Sequence, residues 1–496
     1  MKTISLTIRH FVSILPLCLF MLLRNVIAQQ YDVVLQGGRV IDPESNLDAI
    51  RNVGISGNTV RAITQQQQNA RTVIDARGLI VAPGFIDLHS HGQNLENDRA
   101  HAMDGVTTSL DLEGGIVDVD SWYAAQAGKR LIHYGAAVSH VRARRILLGG
   151  AENGNRGGPP ACPPECNAIQ NAASDDQISQ IQNLVSKGLE RGAPAVGISI
   201  GYVPGASRWE ILQTFRAAAA YHASLHPHIR YAGLKEPESV FTALEEVIAD
   251  ASVSGAPLHI AHIGGMALGG LPKALGIIAD AQKHGIDITT ECTAYSAGMG
   301  AIGSALFDPG WQEKLGISYG DLMWVATGER LTEDSFNRYR KTGGMVIAFA
   351  IPQPVLDACI VSPLTAIATD GLLEKGKGHP RASGTYSLVL GRYVRERKLL
   401  TWNEAIRKMT LMPAKRLEAR VPMMRSKGRL RVGADADITV FDPEHVIDRS
   451  TFEEPGRYSE GIRFVLVEGQ FVVRDGALQD GAPGQPIRAP IATQTK

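Results

Sequence analysis

The chain has 496 residues, of which 44% are hydrophobic and 20% are charged. This length and composition supply enough apolar surface for a large core, and they exclude a disordered or fibrous chain. Fifty lysine and arginine residues balance fifty aspartate and glutamate residues. The net charge of zero argues against a nucleic-acid-binding protein, which normally carries a basic excess.

The first 28 residues are predicted to be a signal peptide. Lys2 and Arg9 precede an apolar run of 13 residues, 11–23, which is shorter than the about 18–20 residues that a membrane-spanning helix needs. Val26 and Ala28 are small residues of the kind expected before a cleavage site after Ala28. We therefore expect an exported protein, periplasmic or secreted, with no stable membrane span after cleavage. The alternative is an uncleaved anchor.

Export changes how the four remaining cysteines are interpreted. Cys162 and Cys166 lie in a segment rich in glycine, asparagine and proline. In an oxidising compartment we expect them to form a local disulfide, the alternative being two reduced thiols. Cys292 and Cys359 have apolar neighbours and are expected to be ordinary buried residues.

Short strands are predicted at both ends of the chain. Residues 31–82 and 436–474 alternate strand-like runs with glycine, asparagine and proline turns, and Glu468-Gly469 is predicted to be a tight turn. These two β-rich ends flank a different middle. We therefore expect one small β-sandwich domain built from residues 29–82 and 425–496.

The middle of the chain, residues 83–424, alternates helices and strands. Apolar residues at helical spacing predict a helix over 238–255, which is followed by a short strand over 257–262. A second helix over 272–285 leads to a strand over 286–291. This alternation predicts an α/β fold, a (β/α)₈ barrel of the TIM type, with a doubly wound sheet as the alternative.

The motif Pro-Gly-Phe-Ile-Asp-Leu-His-Ser-His at 83–91 places two histidines at the end of a short predicted strand. Alternate residues of a strand point to the same face, so His89 and His91 are expected to face one space. Two neutral imidazoles on one face can bind a divalent transition metal, typically zinc. The motif therefore predicts one part of a metal site.

Further candidate ligands end other predicted strands. His228, His262 and Asp370 each stand where an apolar stretch ends, and barrel enzymes place their functional groups at the carboxyl ends of the strands. Glu113 ends another predicted strand and is expected to bridge two zinc ions. Asp111, two residues earlier on the same face, is the competing bridge. A further alternative is that Glu113 pairs with a barrel arginine.

With these motifs the chain resembles the amidohydrolase superfamily, and within it the N-acyl-D-amino-acid deacylases. The resemblance spans nearly all of the chain after the predicted signal peptide, and its motifs lie at 82–91, 201–205, 228–230, 261–262, 379–385, 408–413 and 433–437. Segments 307–311 and 324–330 are most similar to the D-glutamate deacylase branch.

The resemblance implies roles for the candidate ligands. It makes His89 and His91 ligands of one zinc ion and His228 and His262 ligands of another, so that one or two Zn²⁺ are expected per chain. It makes Asp370 the catalytic carboxylate. The D-aminoacylases of the family generally have a cysteine ligand after the Gly-x-Thr-Thr strand, where this chain has Leu-Glu-Gly-Gly. Glu113 is therefore expected to take the place of the cysteine.

The resemblance also bears on the substrate. Many members follow the histidine of the sixth strand with His-Lys, and the lysine binds the substrate carboxylate, whereas Ile263 and Gly264 follow His262 here. The candidates for substrate binding are therefore Arg381, Arg230, Tyr202, Tyr295 and His379. Arg381 is the first choice because a guanidinium binds a carboxylate bidentately. The alternative is that these residues serve packing alone.

Together these residues predict a zinc-dependent hydrolase that cleaves N-acyl-D-amino acids, with N-acyl-D-glutamate among the candidates, to a carboxylic acid and a free D-amino acid. Zinc would activate water, and Asp370 would act as general base and then as general acid. One alternative is a metallo-dipeptidase or carboxypeptidase acting on peptides with D-residues. Another is a non-catalytic binding protein on a barrel scaffold. The expected partner is a small-molecule substrate, and a homo-oligomer is compatible with the sequence.

Overall fold

The computed structural model describes residues 30–149 and 167–491. The predicted signal peptide and the predicted pair of Cys162 and Cys166 lie outside these residues. Among the residues that are described, no helix combines the length and the apolar character that crossing a membrane requires.

Strands form four structural parts: a β-rich domain, a barrel, an insertion and a two-stranded hairpin. In chain order they are β1 (Gln30–Asp42), β2 (Leu47–Ser56), β3 (Thr59–Thr64), β4 (Asn69–Asp75), β5 (Ile80–Pro83), β6 (Phe85–Asp87), β7 (Val106–Ile116), β8 (His133–Ser139), β9 (Ala195–Ser199), β10 (Ser224–His228), β11 (Leu258–Ile260), β12 (Ile288–Cys292), β13 (Gly298–Ala301), β14 (Leu322–Trp324), β15 (Met345–Ala348), β16 (Thr365–Ile367), β17 (Leu373–Glu374), β18 (Lys377–Gly378), β19 (Ile438–Phe441), β20 (Ile462–Val467), β21 (Gln470–Arg474) and β22 (Ala477–Leu478).

Helices connect most of the barrel strands. They are α1 (Leu95–Met103), α2 (Val119–Gln126), α3 (His140–Leu148), α4 (Asn167–Gln170), α5 (Asp175–Glu190), α6 (Arg208–Ala219), α7 (Val240–Ser254), α8 (Ile263–Ala267), α9 (Leu271–Lys283), α10 (Trp311–Leu315), α11 (Glu333–Thr342), α12 (Gln353–Val361), α13 (Arg381–Leu388), α14 (Trp402–Met409) and α15 (Leu411–Leu417). Their ends follow local chemistry. The side chain of Ser239 caps the first turn of α7, and Gly255 ends this helix in the left-handed conformation, with φ 75°.

Eight parallel strands form the barrel in the order β6-β7-β8-β9-β10-β11-β12-β16. The first and last strands meet just beyond their carboxyl ends. There the backbone N–H of Asp370 donates to the carbonyl of His89 (2.7 Å) and that of His91 donates to Gly371 (3.0 Å). The predicted (β/α)₈ barrel is therefore confirmed, and the doubly wound sheet was the wrong alternative.

A buried carboxylate strengthens this seam. Asp87 accepts hydrogen bonds at Oδ1 from the backbone N–H groups of His89 (3.1 Å) and Thr369 (3.2 Å). Its Oδ2 accepts from Thr369 Oγ1 (2.5 Å) and lies 3.1 Å from His101 Nε2. One side chain of the Pro-Gly-Phe-Ile-Asp motif thereby fixes the two chain segments that present His89 and Asp370.

The β-rich domain is built from both ends of the chain, as predicted. Its nine strands form one connected sheet in the order β22-β21-β20-β19-β5-β1-β2-β3, with β4 paired to β1. The strands of this predicted domain form one connected sheet, because β19 pairs with both β5 and β20 and so joins the two ends of the chain. Glu468 and Gly469, both with positive φ, form the predicted tight turn between β20 and β21. Residues 484–489 leave the sheet and hydrogen-bond to the barrel.

An insertion separates the last two barrel strands, β12 and β16. It contains the three-stranded antiparallel sheet β13-β15-β14 and the helices α10 and α11. Its own apolar cluster includes Phe307, Trp311, Trp324 and Phe336. Because it follows the carboxyl end of β12, it stands beside the ends of the strands that hold the candidate ligands.

Cys292 and Cys359 are buried, as predicted, but they form a disulfide across 67 residues of sequence. The interpretation of these cysteines as ordinary buried residues was therefore wrong. Cys292 ends β12 and Cys359 lies in α12, and packing of this helix on the barrel brings their Cα atoms to 6.0 Å. Such a distance permits a disulfide. The sequence alone gives no sign of this packing.

Candidate metal centre

The predicted ligands converge at one end of the barrel. His89 and His91 follow β6, Glu113 lies near the end of β7, and His228 is the last residue of β10. His262 and Asp370 stand beyond β11 and β16, and both adopt left-handed backbone conformations, with φ 32° and 51°. Non-glycine residues in this region are uncommon and cluster at functional sites. Five of the eight barrel strands thus present a side chain to one space.

His89 and His91 face each other across a short gap. Their Nε2 atoms lie 3.3 Å apart, and both rings are buried. The opposite nitrogen of each ring faces a carboxylate: His89 Nδ1 lies 2.6 Å from Glu291 Oε1, and His91 Nδ1 lies 3.4 Å from Asp111 Oδ1. Carboxylates behind metal-binding imidazoles orient the rings and fix their tautomers. The two Nε2 atoms are therefore directed to one point.

Glu113 lies among three of the histidines. Its Oε2 is 3.5 Å from His91 Nε2 and 3.7 Å from His89 Nε2, and its Oε1 is 3.9 Å from His228 Nδ1. Burial alone would raise the pKa of Glu113, but its interactions with the neighbouring imidazoles of His89 and His91 lower it to about 2. The residue is therefore an ionised carboxylate at the centre of the cluster. No barrel arginine pairs with it among the ion pairs of the described residues.

Asp370 joins the cluster to Arg381. Its Oδ1 lies 3.2 Å from His91 Nε2 and 3.4 Å from His89 Nε2, and its Oδ2 lies 2.9 Å from Arg381 Nη2. Burial opposes ionisation, but the charges of Arg381 and His89 hold the pKa of Asp370 well below its usual value. A carboxylate in this position can bind a cation or accept a proton.

His228 and His262 complete the set. Their rings pack edge to face with centroids 4.5 Å apart. Burial, reinforced by the neighbouring His262, lowers the pKa of His228 to about 3, and burial likewise lowers the pKa of His262. Both imidazoles are therefore neutral, as metal binding requires. Among the described residues, His228 Nε2 and Glu113 Oε1 have no hydrogen-bond partner.

The donor set fits zinc. Side-chain atoms of His89, His91 and Glu113 lie within 4.8 Å of one another, and so do those of His89, His262 and Asp370. Imidazole nitrogen combined with carboxylate oxygen is a usual zinc environment. In addition, Glu113 Oε1 and His228 Nε2 lack a hydrogen-bond partner among the described residues, and a cation would provide one.

The residues predicted to bind substrate separate into two groups. Tyr202 and Arg381 line two cavities that adjoin the cluster. Arg230 instead forms a bidentate ion pair with Glu246, at 2.7 and 2.9 Å. This pair neutralises its charge and argues against the predicted contact with a substrate carboxylate.

Tyr295 and His379 lie behind the cavity. The hydroxyl of Tyr295 contacts Asp448 Oδ2 (3.0 Å) and Ser450 Oγ (3.1 Å). His379 Nδ1 accepts a hydrogen bond from the backbone N–H of Arg381 (3.1 Å). Neither side chain is among those lining the cavities. His379 thus supports the start of α13, which presents Arg381.

Sequence reasoning missed Glu291 and His259. Glu291 Oε2 lies 3.0 Å from His259 Nε2, while its Oε1 holds His89. Glu291 stands next to the last residue of β12, and the rule that functional groups follow barrel strands would have found it. His259 lies inside the barrel on β11, and no sequence pattern distinguishes it from a core residue.

A second group of ligand-type side chains joins the barrel to the β-rich domain. His133, Asp437 and Glu468 approach one another closely enough to hold a metal. The ammonium of Lys427 already lies among them, 2.7 Å from Asp437 Oδ2 and 3.0 Å from His133 Nε2. This group is therefore a buried ion-pair network in which lysine supplies the cation.

Two adjoining cavities open beside the metal cluster. The larger has a volume of about 730 Å³, including its opening to solvent, and the smaller about 330 Å³. Tyr202, His228, His262, Asp370 and Arg381 line both of them. A small molecule in either cavity would contact the cluster directly.

Comparison with known families identifies the class of this site. Residues 72–141 and 277–473 match the profile of the Amidohydrolase family, which covers a little over half of the chain. The chain therefore belongs to the amidohydrolase family.

More specific similarity is to deacylases. The chain is 28% identical to the N-acyl-D-glutamate deacylase of Alcaligenes xylosoxydans xylosoxydans over 89% of its length and 93% of that protein. It is also 28% identical to the D-aminoacylase of the same organism, over 93% of this chain and 98% of that protein. Among solved structures, the chain is similar to N-acyl-D-glutamate deacylase from Bordetella bronchiseptica, which was crystallised with zinc and a phosphonate inhibitor. The two share 26% sequence identity and superpose with a TM-score of 0.78, over 93% of this chain and all of that one.

Proposed function

We propose that the chain is a zinc-dependent deacylase that hydrolyses N-acyl-D-amino acids to a carboxylic acid and a free D-amino acid. The observation that carries the proposal is the convergence of four histidines, Glu113 and Asp370 at the carboxyl ends of the barrel strands. The similarity to deacylases over about nine-tenths of the chain supports it.

His89, His91, His228, His262 and Glu113 would hold the metal. Zinc, when bound, supplies Lewis-acid chemistry, in which a carbonyl is polarised and water becomes more acidic. Glu113 has one carboxylate oxygen toward His89 and His91 and the other toward His228. It is therefore the residue suited to contact metal on both sides of the cluster.

Asp370 is suited to transfer the proton. As water attacks, its oxygen forms a bond to the acyl carbon, and Asp370 accepts the released proton at its carboxylate. The carbon–nitrogen bond then breaks, and Asp370 returns the proton to the leaving nitrogen. The ionised state of Asp370, which Arg381 and His89 favour, is the state that this first step needs.

Arg381 is suited to bind the α-carboxylate. Its side chain is buried, it lines both cavities, and its Nε has no hydrogen-bond partner among the described residues. A guanidinium with a free N–H group can donate a hydrogen bond to a carboxylate at fixed geometry, which orients the amide toward Asp370.

The test is a hydrolysis screen of the zinc-loaded protein against N-acetyl-D-amino acids, their L-enantiomers and free dipeptides with a D-residue. We expect cleavage of the N-acetyl-D-amino acids and at most slow cleavage of the L-series. Preference for the free dipeptides would favour the peptidase alternative. Binding without cleavage of any amide would favour the binding-protein alternative.

We also propose that the protein is exported and that cleavage follows Ala28. The short apolar run at 11–23 supports this, and so does the disulfide of Cys292 and Cys359, since structural disulfides are typical of oxidising compartments. Mass spectrometry of the protein from the periplasm or medium should find Gln29 at the amino terminus. A chain beginning at Met1 would contradict the proposal.

A further inference from the structure

The larger cavity beside the metal cluster has a predominantly apolar wall. Its apolar side chains are those of Met266, Met299, Leu306, Phe307, Leu315 and Ile351. Most of them belong to the insertion between β12 and β16. Where the cavity meets the cluster, its polar lining consists of Tyr202, His228, His262, Asp370 and Arg381, together with Thr293.

Arg381 is the one arginine or lysine among the residues lining this cavity. Its guanidinium already lies 2.9 Å from Asp370. Arg230, the nearest alternative proposed from the sequence, is committed to Glu246. The described part of the chain therefore offers one cationic group for substrate carboxylates at this site, and not two.

A substrate with an acidic side chain carries two carboxylates. If Arg381 binds the α-carboxylate, the second carboxylate would enter the apolar part of the cavity without a cation, and an unpaired charge in such surroundings is strongly disfavoured. An aliphatic, thioether or aromatic side chain would instead bury apolar surface against the methionines, leucines and Phe307.

We infer that this enzyme acts on N-acyl-D-amino acids with uncharged, apolar side chains, and that the larger cavity binds the side chain. The inference rests on the proposed deacylase function and narrows it. The inferred substrates therefore differ from N-acyl-D-glutamate, the substrate named for one of the relatives. The side chain is assigned to the cavity because Arg381 is one of its lining residues, and the side chain and α-carboxylate branch from the same carbon.

The test compares kcat/KM for the N-acetyl derivatives of D-leucine, D-methionine, D-glutamine and D-glutamate. We expect D-leucine and D-methionine to exceed D-glutamate by about a hundredfold or more, with D-glutamine in between because it has the shape of glutamate without its charge. The free amino acids, which cannot be hydrolysed, provide a binding measurement. D-Leucine should raise the melting temperature of the protein more than D-glutamate does.

A charge introduced into the cavity wall should reverse the preference. Leu315 is half-buried at the end of α10 and lines the cavity, whereas Gln312 on the same helix is exposed and does not. Leu315→Lys should raise kcat/KM for N-acetyl-D-glutamate relative to N-acetyl-D-leucine by about tenfold or more. Gln312→Lys adds the same charge outside the cavity and should leave the ratio unchanged.

Equal or better turnover of N-acetyl-D-glutamate by the unaltered protein would overturn the inference while leaving the deacylase function in place. So would a folded Leu315→Lys variant with an unchanged ratio.

A series of longer acyl groups on D-alanine tests the position of the substrate. If rates rise with acyl length and not with side-chain size, the cavity binds the acyl group, and the assignment is wrong. Failure to hydrolyse any N-acyl-D-amino acid would overturn the proposed function instead.

Discussion

Glu291 connects two histidines of the barrel interior, with Oε1 2.6 Å from His89 Nδ1 and Oε2 3.0 Å from His259 Nε2. The opposite charge of His89 keeps the pKa of the carboxyl below its usual value in spite of burial. Because the carboxylate accepts a hydrogen bond from the N–H group at Nδ1, the Nε2 of His89 faces the cluster. Glu291 is thus a positioning residue for the metal centre.

Replacing Glu291 by glutamine should weaken metal binding. The amide keeps the shape of the side chain but removes the charge that orients His89, and loss of such partners typically costs about 10–100-fold in metal affinity. Competition with a chelator measures this affinity without reference to turnover. Thr289→Val is the matched control, since Thr289 contacts the far nitrogen of His259 at 2.7 Å and does not contact His89. Equal zinc affinity in Glu291→Gln and the unaltered protein would contradict the role.

Glu113→Ala should lower the zinc content of the protein together with its activity. The carboxylate is the anion closest to His89, His91 and His228 together, and without it two cations would repel each other in a buried site. Metal analysis alongside a melting curve provides the measurement. Glu113→Cys should restore part of the metal, because a thiolate is a good zinc ligand.

Asp111 offers the comparison for Glu113. It lies behind His91 at Nδ1 and accepts a hydrogen bond from the backbone N–H of Gly114 (3.0 Å), so it faces away from the point where the Nε2 atoms meet. We therefore expect Asp111→Asn to retain more zinc than Glu113→Ala. The reverse order would make Asp111 the bridging carboxylate.

Asp370→Asn should retain the fold but lose activity by about 10²–10⁴-fold, the usual contribution of general acid–base catalysis. Asparagine fills the same volume but cannot accept and return a proton. Steady-state rates, zinc content and melting temperature should be measured together. Asp308→Asn breaks an aspartate–arginine pair of similar length, 2.8 Å to Arg340, away from the cluster, and should leave turnover unchanged. Near-normal turnover by a zinc-loaded Asp370→Asn variant would exclude the role.

The barrel and its ligands could be predicted because both depend on local sequence. The alternation of strands and helices determines the architecture, and the carboxyl ends of parallel strands bring His89, His228 and Asp370 together wherever they lie in the chain. The tight turn at Glu468-Gly469 is likewise a local property of two residues.

The partners of individual side chains could not be predicted, because they depend on tertiary packing. Whether Arg230 faces a substrate is decided by Glu246, which α7 brings to it, and nothing in the sequence around Arg230 signals this pair. Cys292 and Cys359 come within bonding distance only because α12 packs beside β12. For the same reason, the sequence does not predict the apolar wall of the larger cavity, because most of that wall is formed by the packed insertion.

Asp250 on α7 should make the stability of the protein depend on pH. Burial, with the neighbouring charge of Glu246, raises the pKa of Asp250 to about 7, whereas in the unfolded chain it is near its usual value of about 4. Between these values the folded chain binds more protons at this group than the unfolded chain does. The free energy of unfolding therefore falls as pH rises through this window. Above pH 7 the decrease is complete, and this group causes no further change.

Asp250→Asn removes this ionisation and should be more stable than the unaltered protein at pH 8, with a smaller difference at pH 5. Because the side chain is only partly buried, solvent screening limits the gain to about 1 kcal/mol or less. Urea unfolding at the two pH values measures it. Asp280→Asn is the matched control, since Asp280 is exposed on α9 and its pKa is lowered by the hydrogen bond and charge of Lys283. If Asp250→Asn raises the free energy of unfolding equally at both pH values, the carboxylate does not titrate in this range. If the variant is less stable than the unaltered protein at pH 8, the charge of Asp250 stabilises α7.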